Sequence, residues 1–173
     1  KLYGMRILLN SIALCSLSFA QVAEVPVMAP VSQWEPPAAK LAASLAESTA
    51  AAPKNLLTVG ERSEWKQTGR YTDSVAYARA LEKASPWVKT ISLGKSPQGR
   101  DIIATIVSKD RAFTPEAARK TGKLIVLLES CIHPGEVDGK DAGEMLLRDV
   151  VVTKKYAAWL DQDVLLHEHA GQA

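Results

Sequence analysis

The stretch Leu124-Ile125-Val126-Leu127-Leu128-Glu129-Ser130-Cys131-Ile132-His133-Pro134-Gly135-Glu136 decides the fold. Its first five residues form an unbroken apolar run bounded by Lys123 and Glu129, which suits a strand covered on both faces. A loop over residues 130–139 follows. Asp141 to Val151 then reads as a helix, with Ala142, Met145, Leu146 and Val150 inward. A strand, a loop and a helix in that order build open α/β sheets, and ligands bind at the carboxyl ends of such strands.

Working outward, Tyr71 to Lys83 has helical periodicity, with Val75, Ala78 and Leu81 on one face and Thr72 or Asp73 as cap. Pro86 ends it. Val88 to Leu93 and Asp101 to Ser108 read as two strands of a hairpin, joined by the turn residues Gly94-Lys95-Ser96-Pro97-Gln98-Gly99. Thr114-Pro115-Glu116 opens a short helix, with a cap, a proline at the first helical position and an acid where the dipole favours it; Gly122 closes it. Lys154 to Asp161 reads as a further helical turn or two, and Val164-Leu165-Leu166 as the start of another buried strand. A hairpin combined with strand–loop–helix units predicts an α/β fold with a mixed sheet and flanking helices.

The residues ahead of this domain have a different character. Met5-Arg6, the apolar stretch Ile7 to Phe19 and the small residues of Ser18-Phe19-Ala20 read as an export signal over residues 1–20, cleaved before Gln21. The stretch is short for a membrane anchor, so no stable membrane insertion is expected. A lipid anchor on Cys15 is a weaker alternative, because Leu14 stands where a small residue is wanted. Lys1 to Gly4 precede Met5, which places the natural start at that methionine. Residues 21–56, punctuated by Pro26, Pro30, Pro36, Pro37 and Pro53, read as a linker or pro-segment. Its Ala-rich part, Ala38 to Ala52, has helix propensity but a thin apolar face, so poor order or loose docking is expected. Residues 57–173 form the folded domain.

With 21 basic and 19 acidic residues the net charge is +2, and the signs are interspersed, so no nucleic-acid partner is implied. Of the two cysteines, Cys15 and Cys131, only Cys131 survives cleavage. The mature chain then has no internal disulfide, which is compatible with a secreted or periplasmic bacterial protein held by its core.

The chemistry concentrates at His133 and Glu136. An imidazole nitrogen and a carboxylate oxygen are both good zinc donors. Pro134 and Gly135 disfavour a helix between them, so the two side chains must converge through loop geometry. The bland alternative is a surface histidine beside a first-turn glutamate. Cys131, two residues before His133, invites a Cys–His nucleophile, yet no third orienting group is evident, and a small apolar residue at a strand end is the plainer reading. Glu129 serves either to support the ligands or merely to end the strand.

From about Glu61 onward the chain resembles zinc carboxypeptidases of the carboxypeptidase A type. Arg70-Tyr71-Thr72-Asp73 to Leu81 resembles that family's opening helix. Ile91-Ser92-Leu93-Gly94-Lys95-Ser96-Pro97-Gln98-Gly99-Arg100-Asp101-Ile102 resembles its first hairpin. His133-Pro134-Gly135-Glu136, followed by Asp138-Gly139-Lys140-Asp141-Ala142-Gly143, resembles its first two zinc ligands. The resemblance implies a Zn2+ cofactor held by His133 and Glu136, a peptide substrate, and release of C-terminal residues. It also implies that the third zinc ligand, the general base and the carboxylate-binding arginine lie beyond this chain, which is therefore read as a truncated N-terminal part of the fold, inactive alone. The apolar pattern breaks at His167-Glu168-His169, as a shifted reading frame would produce. His167 or His169 as a replacement ligand is a rival idea, weakened because a disordered terminus makes a poor preorganised donor. The alternative function is a non-catalytic exported α/β fragment or binding module without metal.

Overall fold

A computed structural model describes residues 38–133 and 135–169. The export signal and the first part of the linker lie outside the described residues. A compact unit begins at Ala38.

Four strands form one mixed sheet in the order β1-β2-β4-β3. β1 (Val88–Lys95) and β2 (Asp101–Val107) pair antiparallel, with a register shift between Ser92 and Gly94. β2 runs antiparallel to β4 (Asp163–His169), and β3 (Leu124–Ser130) runs parallel to β4. α5 (Asp138–Val151) makes the crossover from β3 to β4. Parallel pairing requires such a long connection, which a hairpin turn cannot supply.

α3 (Tyr71–Ala84) and α5 pack against the sheet. Between them sits the core of Tyr77, Leu81, Val88, Val107, Leu147, Val150 and Leu165, with Leu56 and Leu160 closing its ends. A short helix, α4 (Pro115–Lys120), starts as its sequence predicts: the Thr114 hydroxyl accepts from the Ala117 N–H, and Pro115 occupies the first helical position. α3 is capped differently from expectation. Its N-cap is Arg70, and Asp73 acts from the third helical position by accepting the Arg70 N–H at 2.8 Å.

Two expectations about burial are corrected. β3 is an edge strand, not one covered on both faces. Val126 packs on the core, but Ile125 and Leu127, on the opposite face of the strand, are 46 % and 55 % exposed, so that face of β3 is left open. Within α5, Ala142 is exposed, and the inward face holds Glu144, Leu147 and Arg148 beside Met145 and Val150.

The polar residues of that face organise the segment before α3. Arg148 is fully buried. Its Nη1 donates to Glu61 Oε2 at 2.7 Å and to the Leu56 carbonyl at 3.1 Å, and its Nη2 donates to the Ser48 hydroxyl at 2.8 Å. Ser48 in turn donates to Asp149 at 2.6 Å. Glu61 closes a capping box with Thr58 at the start of α2 (Val59–Arg62) and accepts from Thr49. The Ala-rich helix α1 (Ala38–Ala51) therefore docks through Ser48 and Thr49, while Leu41 and Leu45 stay exposed.

β4 runs through the break in apolar pattern at His167. His167 and His169 are buried strand residues, not a terminal tail. His169 Nε2 lies 2.8 Å from the Thr105 hydroxyl, and His167 Nε2 lies 3.2 Å from that of Ser130. A hydroxyl on a neighbouring strand meets one nitrogen of each ring where the sequence pattern alone calls for apolar residues, while His169 Nδ1 has no hydrogen-bond partner among the described residues.

Candidate metal centre

The topology gathers the predicted site at one end of the sheet. β3 and β4 are parallel, with Ser130 opposite His169, so the loop after β3 leaves from their shared carboxyl end. β2 is antiparallel to β4, with Ile103 opposite His169, so the beginning of β2 lies at that same end. The start of α3 joins it there through Tyr71, whose hydroxyl donates to the Asp101 carbonyl at 3.0 Å.

The chain leaves β3 through a left-handed residue. Cys131 has φ 58°, an uncommon conformation for a residue with a Cβ, and backbone strain of this kind clusters at functional sites. Gly135 follows at φ 96°. The Glu136 N–H donates to the His133 carbonyl at 3.2 Å.

This turn brings the two predicted donors together. His133 Nδ1 lies 2.9 Å from Glu136 Oε1, and the His133 backbone N–H donates to Glu136 Oε2 at 3.1 Å. Both side chains are exposed, at 74 % and 57 %, so a cation reaches them without any opening of the core. An imidazole nitrogen and a carboxylate oxygen are ligands zinc would accept. The donor chemistry fits zinc, and the backbone hydrogen bond to Oε2 leaves Oε1 as the oxygen facing the ring.

Among the described residues, no third His, Cys, Asp or Glu joins them in a group of three. His167 and His169 form their own buried cluster with Thr105 and Ser130. Cys131 is a free thiol whose pKa is raised, chiefly by burial, and the His133 ring engages Glu136 in its place. Neither observation favours a Cys–His nucleophile. Glu129 is exposed on β3. Arg70, Tyr71 and Arg100 line the same cleft as His133 and Glu136; the sequence reading quoted them in the opening helix and the hairpin exit without placing them at the site.

Gly135→Ala tests the loop. An added Cβ meets nothing within 4 Å, so only the positive φ opposes it. A strain of about 1–2 kcal/mol is relieved in an exposed loop by letting the turn open. The expected result is a zinc affinity lowered by a factor of about 5–30 with little change in melting temperature. A zinc titration beside a thermal melt checks both parts.

A mixed-sheet α/β unit with a histidine and a glutamate converging after the carboxyl end of a strand defines the class. The family model described as zinc carboxypeptidase matches residues 74–164, more than half of the chain, and the protein belongs to that family. Its fold is similar to that of carboxypeptidase A from Helicoverpa armigera, with TM-score 0.50 and 21% sequence identity over 58% of this chain. The matched region spans only 23% of that structure's chain. No curated protein matches the sequence.

Proposed function

We propose that this protein is a zinc-dependent metallocarboxypeptidase component that acts on peptides, with His133 and Glu136 as two of its zinc ligands. The observation that supports this reading most directly is the convergence of His133 Nδ1 and Glu136 Oε1 to 2.9 Å in an exposed loop at the end of the sheet. Zinc, when bound, supplies a Lewis acid and lowers the pKa of a bound water to about 7. The chain's own residues prepare for this. Gly135 turns the loop, the His133 N–H fixes the Glu136 carboxylate, and His133 directs Nδ1 toward that carboxylate. The peptide lies in the cleft between this loop and the wall of Arg70, Tyr71 and Arg100. The proposal extends to export, with residues 1–20 as a signal removed before Gln21. No helix among the described residues is long and apolar enough to cross a membrane.

A second reading is an exported binding module without metal. It is favoured by the presence of only two converging donors among the described residues. Competition with a chromophoric chelator separates the two. On the first reading the chain binds zinc, and His133→Ala lowers the affinity by at least about a hundredfold, because losing a ligand exceeds the roughly 10–100-fold cost of losing a group behind one. Unchanged zinc affinity in His133→Ala removes the ligand assignment.

A further inference from the structure

We propose that the apolar groove between α1, the loop after α2 and α5 holds a large apolar side chain of the peptide bound in the cleft. This rests on the peptide-processing reading for its ligand, but not on the metal. The groove encloses about 600 Å³, a volume that suits a small ligand or one large side chain. Leu41 and Leu45 reach it from α1, Trp65 from the loop, and Ala142 and Met145 from α5. Leu41 and Leu45 are four residues apart and so share one face of their helix. Leu41 is 50 % and Trp65 53 % exposed, so the apolar wall stands open to water. Clustered apolar exposure of this kind marks a binding surface, where single exposed residues mark nothing. Leu41, Leu45 and Trp65 all precede the matched residues 74–164, so this wall comes from a part of the chain outside the family match.

Continuity with the cleft decides what the groove takes. Thr68 and Val137 line both the groove and the cleft of His133 and Glu136, and Val137 directly follows Glu136. A peptide in the cleft therefore passes the mouth of the groove within reach of a side chain. The polar groups at this boundary are spent on one another. The Thr68 hydroxyl donates to Asp141 at 2.7 Å and accepts from Lys140 at 3.0 Å, and Lys140 also donates to Asp141 at 3.2 Å. At the rim Lys66 is paired with Glu64, whereas Asp138 is exposed, and its charge opposes an acidic side chain. The wall is also held in place. The Trp65 N–H donates to the Gly60 carbonyl at 2.7 Å, and its ring lies so close to Gly60 that an added Cβ there would stand 3.1 Å from it. Glu64 and Trp65 are successive left-handed residues, with φ 53° and 63°, which is uncommon for residues with a Cβ. A wall fixed before the ligand arrives loses little freedom on binding.

The experiment is calorimetric titration of the full chain with acetyl-Ala-Ala-Ala-Ala and with peptides in which Phe or Glu replaces each alanine in turn. Phe at one position is expected to tighten binding about tenfold or more over the all-alanine peptide, as burial of one such side chain implies. Glu at that position is expected to give no gain. Ala142→Glu, at an exposed position of α5, is expected to erase the Phe gain, and Trp65→Gly, which suits the left-handed backbone, to reduce it, with zinc affinity unchanged in both. In the wild-type chain, the Trp65 indole N–H resonance is expected to shift further with the preferred Phe peptide than with the all-alanine one; this readout needs no variant to fold. If the all-alanine peptide binds but no Phe position gains, or if the gain survives Ala142→Glu, the groove proposal is overturned and the peptide reading stands. Failure of every peptide to bind overturns both, and the zinc titration still judges the ligands by itself. A chain that binds no zinc yet keeps the Phe gain refutes the metal reading and leaves this one standing.

Discussion

Arg148→Met is expected to lower the unfolding free energy by roughly 3–5 kcal/mol, the cost of removing one partner from a buried ion pair. Arg148 and Glu61 have no exposed side-chain surface and meet at 2.7 Å. Methionine fills much of the same volume, so the loss is electrostatic and not a cavity. What remains is a buried Glu61 carboxylate, with the Leu56 carbonyl and the Ser48 hydroxyl also deprived of their donor. Burial pushes the Glu61 carboxyl up, but hydrogen bonds from Arg148, Thr58 and Thr49 outweigh it and hold its pKa below the usual 4.5. A depressed carboxyl contributes stability that is present above the unfolded-state pKa and is lost as pH falls through the folded one. The wild-type chain therefore sheds this contribution below about pH 4.5, and Arg148→Met, with nothing left to shed, shows a flatter acid limb there. Glu61→Gln in the Arg148→Met background should recover part of the loss, since it removes the stranded charge. Urea unfolding of the four chains provides the cycle. A single-variant loss under about 1 kcal/mol is the surface-pair value and shows that water reaches the network.

The same network shows where sequence reading stops. The apolar run Leu124 to Leu128, the hairpin turn and the Thr114-Pro115 helix start are local signals, and each element appears where its residues place it. His133 and Glu136 are close in sequence and joined by a turn, so their convergence was legible as well. Contacts between distant segments were not. Ser48 and Asp149 are 101 positions apart, and nothing in an Ala-rich helix announces that one hydroxyl holds it to an arginine on α5. The exposure of Ile125 and Leu127 was hidden for a related reason. A continuous apolar run records that a strand is suited to burial on both faces, not what covers each face. Arg100 was quoted within the hairpin, but its place over the Tyr71 ring, 29 positions earlier, was not legible there. His167 and His169 were taken for a failing pattern because strand periodicity counts apolar residues and does not see cross-strand hydroxyls.

That histidine pair sets the second large expectation: the chain loses stability steeply as pH falls from 6.5, well before its carboxylates protonate. The His167 ring stands on β4 against α5, where a Cβ at Gly143 would lie 2.2 Å from its Nε2. Only glycine at that helix position admits it. Around it are the Ser130 hydroxyl and the His169 ring, whose centroid is 4.4 Å away, with Thr105 bonded to His169 on the far side. The nearest carboxylate, Glu144, lies 3.8 Å from His169 Nδ1, too far to bond directly. Burial, with a smaller contribution from His169, lowers the His167 pKa from 6.5 to about 3. The unfolded chain then binds a proton near pH 6.5 that the folded chain refuses until about pH 3, so the stabilisation is complete above 6.5 and drains away as pH falls. The slope is about 1.4 kcal/mol per pH unit, or about 3 kcal/mol between pH 6.5 and 4.5, a large share of the roughly 5–15 kcal/mol that holds a domain together. The depressed carboxyls Glu61, Glu82, Asp101 and Asp161 act only below that window, since each lies beneath an ordinary value of 4.5 or 3.8. Urea midpoints measured across pH 7.5 to 4.5 should therefore fall in the wild-type chain and stay nearly level in His167→Gln, whatever that substitution does to stability at pH 7.5. An equal slope in both chains would show that His167 takes up its proton in place, through an opening of the β4 end that lets water reach the ring without unfolding the rest.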